Sequence, residues 1–140
     1  MQLDILGDLN WLAVLVATIA YFALGAIWYA QGVFGKAWMR GAGVTIPEGQ
    51  RPGPEVFVVP LIANVLATIT TAAIATATGS NTVGEGIVLG LMVGIGFAVG
   101  LTLLTAYLEQ RPEPTTYLWV NSGYHIVGLV IVGIIVSVWT

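Results

Sequence analysis

His125 is the one histidine in this 140-residue chain, with Ser122 three residues before it and Asn121 four before it. A histidine can move a proton, ligate a metal or bond through either ring nitrogen. Each kind of chemistry needs company that can be looked for in the sequence. Acyl transfer or proteolysis would pair the serine with the histidine as base, but it also needs an orienting carboxylate or a second acid. No Asp or Glu lies between Thr115 and Thr140, so that partner is missing. A metal site needs three or four donors, and there is no cysteine to supply a thiolate. Haem held by histidine on both faces would need a second chain. No catalytic residue, metal site or cofactor is therefore expected. The polar side chains to be explained are His125, Asn121, Asn64 and Tyr21.

The segments that carry them point to lipid as the solvent. Hydrophobic residues make up 57% of the chain and charged residues 8%, against roughly 25% charged in soluble domains. Four stretches, 11–30, 56–78, 86–108 and 117–139, run without Asp, Glu, Lys or Arg. Each meets the ~20 apolar residues that a helix needs to cross a bilayer. Barrel strands would be shorter and would alternate in polarity, so the fold class is all-α, a bundle of four transmembrane helices in one domain, 1–140. The first stretch follows Asp4 and Asp8 with no basic residue, unlike a cleaved signal peptide, and is expected to stay.

All four basic residues fall on one side. Lys36, Arg40 and Arg51 lie in the loop 31–55, and Arg111 lies between the third and fourth stretches. The positive-inside bias makes that side cytoplasmic and places both termini outside. The expected location is a bacterial inner membrane, crossed several times. Val33 to Arg40 reads as an amphipathic interfacial turn of helix, and 41–54, rich in Gly and Pro, as irregular. With four basic residues and a net charge of −3, nucleic-acid binding is not expected.

Helix rise then places the polar residues in depth. His125 is eight residues inside Tyr117 and Asn64 eight inside Val56, so each sits ~12 Å from the cytoplasmic end at ~1.5 Å per residue. Tyr21, nine residues before Ala30, comes to ~13 Å, and Gly100 lies at the same level of the third span. A polar belt of Tyr21, Asn64, Asn121 and His125 is expected there, roofed by Trp28, Tyr29 and Trp38, with Gly100 leaving room. The belt has two readings: a hydrogen-bonded brace between helices, or a functional constriction.

Packing signals concentrate in the third span. Gly86, Gly90, Gly94 and Ala98 repeat every four residues, and Gly96 and Gly100 extend a second face. Small residues let membrane helices approach closely, so this span is expected at the centre of the bundle or at a subunit interface.

Two groups of residues carry a family likeness. Asn10-Trp11-Leu12-Ala13, Leu24-Gly25-Ala26-Ile27-Trp28-Tyr29 and Phe34-Gly35-Lys36-Ala37-Trp38-Met39 stand at the start, and Asn121-Ser122-Gly123-Tyr124-His125 near the end. In these the chain resembles a bacterial family known as domain of unknown function 1761. The resemblance implies a four-helix membrane protein and brings no activity, substrate or cofactor. The functional expectation is a non-enzymatic membrane component, partnered by the lipid bilayer and by a homo-oligomer or membrane complex. The alternative is a small transporter or channel constricted around His125.

Overall fold

The structure, a computed structural model, describes residues 3–139. Four long helices dominate: Trp11–Trp28, Glu55–Thr78, Val83–Leu108 and Pro114–Val138, named here the first to fourth spans. All four are long and apolar enough to cross a membrane. A short 3-10 helix, Leu3–Gly7, precedes them, and a π turn, Gln31–Gly35, leads into the loop helix Lys36–Ala42. No strand occurs among the described residues.

The span ends follow from local chemistry. Asn10 caps the first span by accepting from the Leu12 and Ala13 amides at 3.1 Å, which satisfies donors that a helix start leaves free. Its own amide donates to the Trp139 carbonyl at 2.9 Å, so both described ends of the chain meet at one end of the bundle. The second span stops at Gly79, whose φ of 68° is the left-handed cap that glycine adopts freely. Three residues later a capping box starts the third span. The Glu85 amide donates to Thr82 Oγ1 at 3.2 Å, and the Thr82 amide donates to Glu85 Oε2 at 3.0 Å. Pro114 opens the fourth span, where the missing N–H leaves no bond unmade.

The fourth span, not the third, is the central helix. The first, second and third spans and the loop helix all pack on it, and the first and second also pack on each other. The third span touches the second only lightly and is otherwise seated on the fourth. This corrects the expectation of a central third span. Its glycine face is flat and narrow, so it fits closely against one partner and turns its large residues, such as Met92, Phe97 and Leu101, outward.

That seam is backbone against backbone. A Cβ at Gly86 would stand 2.6 Å from the Gly133 carbonyl oxygen, and one at Gly90 2.5 Å from Val130 Cα. Residues 86, 90, 94, 102 and 106 are buried, a four-residue period held over twenty residues. On a regular helix of ~3.6 residues per turn each such step overshoots by ~40°, so the stripe would wander ~200° off its partner. The π turn Gly94–Val99 lies in the middle of the stripe and, by taking one extra residue, gives back ~100°. Gly96 and Gly100 are off the stripe, and a Cβ at either meets nothing within 4 Å. Gly100 is therefore no packing residue within the chain, and it spaces no belt.

The bundle end that carries the loop 31–55 and the link 109–113, here the loop end, is clasped shut by the backbone. The Glu113 amide donates to the Gly41 carbonyl at 3.4 Å, and Arg111 Nη1 to the Ala42 carbonyl at 3.3 Å. Gly41 lies flat on Tyr117, where a Cβ would be 2.8 Å from the amide nitrogen. The Arg111 guanidinium also sits 5.0 Å over the Tyr117 ring.

Candidate functional site

Three spans supply the polar residues of the loop end. Tyr21 of the first span, which is 1% exposed, brings its hydroxyl 2.5 Å from His125 Nδ1 on the fourth. The ring can come so close because residue 128 is glycine; a Cβ there would collide with the Cδ2–Cε2 edge of the Tyr21 ring. No other acceptor for the Tyr21 hydroxyl hydrogen is recorded among the described residues, and on that ground we assign it to Nδ1 rather than the reverse. A neutral ring that accepts at Nδ1 carries its proton on Nε2.

Beside this pair, the Tyr124 hydroxyl is a second junction. It accepts from Asn64 Nδ2 of the second span at 2.9 Å, and the Tyr21 carbonyl and Asn64 Oδ1 lie at 3.3 Å to take its hydrogen. Gly25 gives it space on the first span, since a Cβ there would meet the hydroxyl at 3.0 Å. Further toward the loop, the Tyr29 hydroxyl donates to Asn121 Oδ1 at 2.8 Å, and Asn121 Nδ2 donates to the Tyr117 carbonyl at 2.8 Å. The rings of Tyr21 and Tyr29 both lie 5.2 Å from that of Tyr124.

The four residues placed at one level from the sequence, Tyr21, Asn64, Asn121 and His125, are thus all drawn into one cluster, from three spans. The third span contributes none. Of the aromatic trio, Tyr29 and Trp38 meet edge to face at 5.9 Å beside the cluster. Trp28 turns to another side of the fourth span, where its indole donates to the Val120 carbonyl at 3.0 Å and its ring packs on Phe34 at 4.7 Å. Ser122 Oγ is buried without a hydrogen bond among the described residues, and His125 Nδ1 is held by Tyr21, so no serine–histidine pair is formed. No three His, Cys, Asp or Glu side chains converge among the described residues.

Part of the cluster floors a cavity of about 540 Å³ between the second span, the fourth span and the chain that leaves the first, from Tyr29 to Met39. Asn64, Asn121, Tyr124 and His125 form its polar side, Val56, Val59 and Ala63 of the second span its apolar wall, and Trp38, Met39 and Ile46 its cover. Pro60 also lines it, and having no N–H it leaves the Val56 carbonyl without a helical donor. No Asp, Glu, Lys or Arg lines the cavity. Its size and its mix of apolar wall with a few convergent polar groups are those of small-molecule sites.

Tyr124 is the residue that sequence reasoning did not single out, although it stands next to His125. Tyr124→Phe is expected to destabilise the bundle by about 1–2 kcal/mol, because it strands the Asn64 amide, only 2% exposed, without a partner. Tyr29→Phe, at a half-buried position, is expected to lose about 0.6 kcal/mol, the average for a bond between membrane helices. Reversible unfolding in mixed detergent micelles ranks the two. An equal loss from both would mean that Asn64 finds another partner.

These features define a class: a four-span helical protein with a polar-floored cavity at its loop end. A family model described as "Protein of unknown function (DUF1761)" matches residues 12–137, and the chain belongs to that family. No curated protein and no solved structure matches the chain.

Proposed function

We propose that this protein is a non-enzymatic, ligand-binding component of a bacterial inner membrane, with the cavity above His125 as its binding site. The observation that carries the reading is the cavity itself, a space of about 540 Å³ whose hydrogen-bonding groups are held on one side by interhelical bonds. Rigid placement of polar groups in an apolar space favours selective binding, since little order is lost when the ligand arrives. A binding role suits the use of His125 Nδ1 as a partner of Tyr21 rather than of Ser122. The basic residues of the loop end would face the cytoplasm, and both termini the outside. A homo-oligomer or a membrane-complex partner would cover the open face of the third span, where Gly96 and Gly100 lie.

The test uses the whole protein extracted into lipid nanodiscs with its native lipids. Mass spectrometry of the wild type is expected to find one lipophile enriched over bulk lipid, and Ala63→Trp, which fills the apolar wall, is expected to lose it. Identical complements in the two proteins would reject the site.

A second reading, a transporter or channel constricted at His125, has one observation in its favour. A recess of about 260 Å³ lies at the opposite end of the first, second and fourth spans. Between recess and cavity, Tyr21, Thr68, Thr71 and Val132 are fully buried, and Thr68 Oγ1 has no partner among the described residues. Flux of protons or small solutes into proteoliposomes, compared between wild type and His125→Ala, decides it; equal flux removes the idea.

A further inference from the structure

We infer that the cavity takes an uncharged lipophile whose head presents a carbonyl oxygen to His125, the chemistry shared by isoprenoid-type quinones and by the esters of diacylglycerols. The inference rests on the binding reading above and adds the class of ligand. Three observations lead to it.

The first is charge. None of the residues that line the cavity is Asp, Glu, Lys or Arg, so a charged head group would enter a space of low dielectric with no counter-ion. Burying an unpaired ion is far more costly than burying a neutral hydrogen-bonding group. That difference weighs against a carboxylate, a phosphate or an amine, His125 being the one group of the lining that could carry a charge at neutral pH.

The second is the balance of donors and acceptors. The hydroxyl hydrogens of Tyr29 and Tyr124 are already donated inside the protein, to Asn121 and to the Tyr21 carbonyl or Asn64. The Tyr21 hydroxyl is given to His125 Nδ1, which leaves the Nε2–H. That donor has no partner among the described residues, and His125 is one of the residues that line the cavity. On the polar floor the free side-chain hydrogen is thus the His125 Nε2–H, and the head complementary to it is an acceptor.

The third is shape. Tyr29, Trp38, Tyr124 and His125 all line the cavity, with the Tyr124 and His125 rings 4.8 Å apart and Tyr29 edge-on to Trp38. Ring faces beside a donor suit a flat conjugated carbonyl, and the Val56, Val59 and Ala63 wall suits its hydrocarbon tail.

The experiment titrates the whole protein in nanodiscs with five probes: a decyl benzoquinone, its quinol, dioctanoylglycerol, decylbenzene and decanoate. Binding is read from tryptophan emission, with Trp38→Phe identifying the signal that comes from the cavity. The quinone, the diacylglycerol or both are expected to bind saturably, at least tenfold tighter than decylbenzene and decanoate; which of the two wins names the source of the carbonyl. The quinol, which offers hydroxyl groups in place of carbonyls, is expected to bind about tenfold more weakly than the quinone, the value of one hydrogen bond. His125→Ala should lose a similar factor, and His125→Gln, which keeps an N–H donor, should lose less. Gly100→Ala, on the open face of the third span, should bind as wild type.

Equal binding of decylbenzene and the quinone, a preference for quinol or decanoate, or unchanged affinity in His125→Ala would overturn the carbonyl inference while the cavity remains a binding site. Failure of every probe, with an unchanged lipophile complement in Ala63→Trp, would remove the site as well.

Discussion

Alanine in place of Gly133 is expected to lift the third span off the fourth and to destabilise the protein by about 2–3 kcal/mol, the upper range for overpacking a tight contact. The added methyl would fall on the Gly86 carbonyl oxygen and stand 3.1 Å from the Gly90 amide nitrogen. Both are backbone atoms of a helix, so no rotamer change relieves the clash and the two axes must part. Parting them loosens the whole Gly86, Gly90 and Gly94 seam, the closest part of the contact that seats the third span on the fourth. The same one-methyl change at Gly96 or Gly100 meets only open space. Those variants are expected within about 0.5 kcal/mol of wild type, or slightly more stable because alanine favours helix. Reversible unfolding followed by circular dichroism in mixed micelles separates the two groups. Similar losses at Gly100 and Gly133 would show that the seam lies elsewhere.

Gly128→Ala is expected to be comparably severe and to act on the site itself. Its methyl would overlap the edge of the Tyr21 ring, which is fully buried and cannot swing outward. The ring must leave, and its hydroxyl then releases His125 Nδ1. We expect a loss of about 2–3 kcal/mol from overpacking combined with one broken bond. A smaller side chain at position 21 should relieve the clash, so Gly128→Ala with Tyr21→Ala should be more stable than the sum of the two single losses predicts. A double-mutant cycle measures this coupling, and simple additivity would refute the contact.

The spans themselves were legible from hydropathy. The expected 11–30, 56–78, 86–108 and 117–139 differ from the helices of the structure by three residues or fewer at any end. An unbroken apolar run leaves the backbone few ways other than a helix to satisfy itself in lipid. The level of Tyr21, Asn64, Asn121 and His125 was legible for a similar reason, because helix rise is nearly constant. What surrounds each helix was hidden. Tyr124 lies about 100° around the fourth span from His125, off the polar face expected of a helix with neighbours on one side. On a central helix that position also faces a neighbour, here Asn64 and the first span. The partner of the glycine stripe was equally hidden, since Gly123, Gly128 and Gly133 recur every five residues, a spacing that turns ~140° per step and marks no single helix face. Gly100 turns away from the fourth span because the residue gained in the π turn Gly94–Val99 rotates the helix that follows it, which spacing along the sequence does not reveal.

Val56 and Val59 border the cavity, and yet they are 51% and 61% exposed, turned to what in a membrane is hydrocarbon. A molecule that reaches the cavity past them comes from the bilayer. What sets occupancy is then the mole fraction of ligand among lipids. Doubling the lipid at fixed total ligand halves that fraction, so the half-saturation point on a molar scale should move in step with the lipid added. A constant for this protein acquires meaning only when it is counted per lipid molecule.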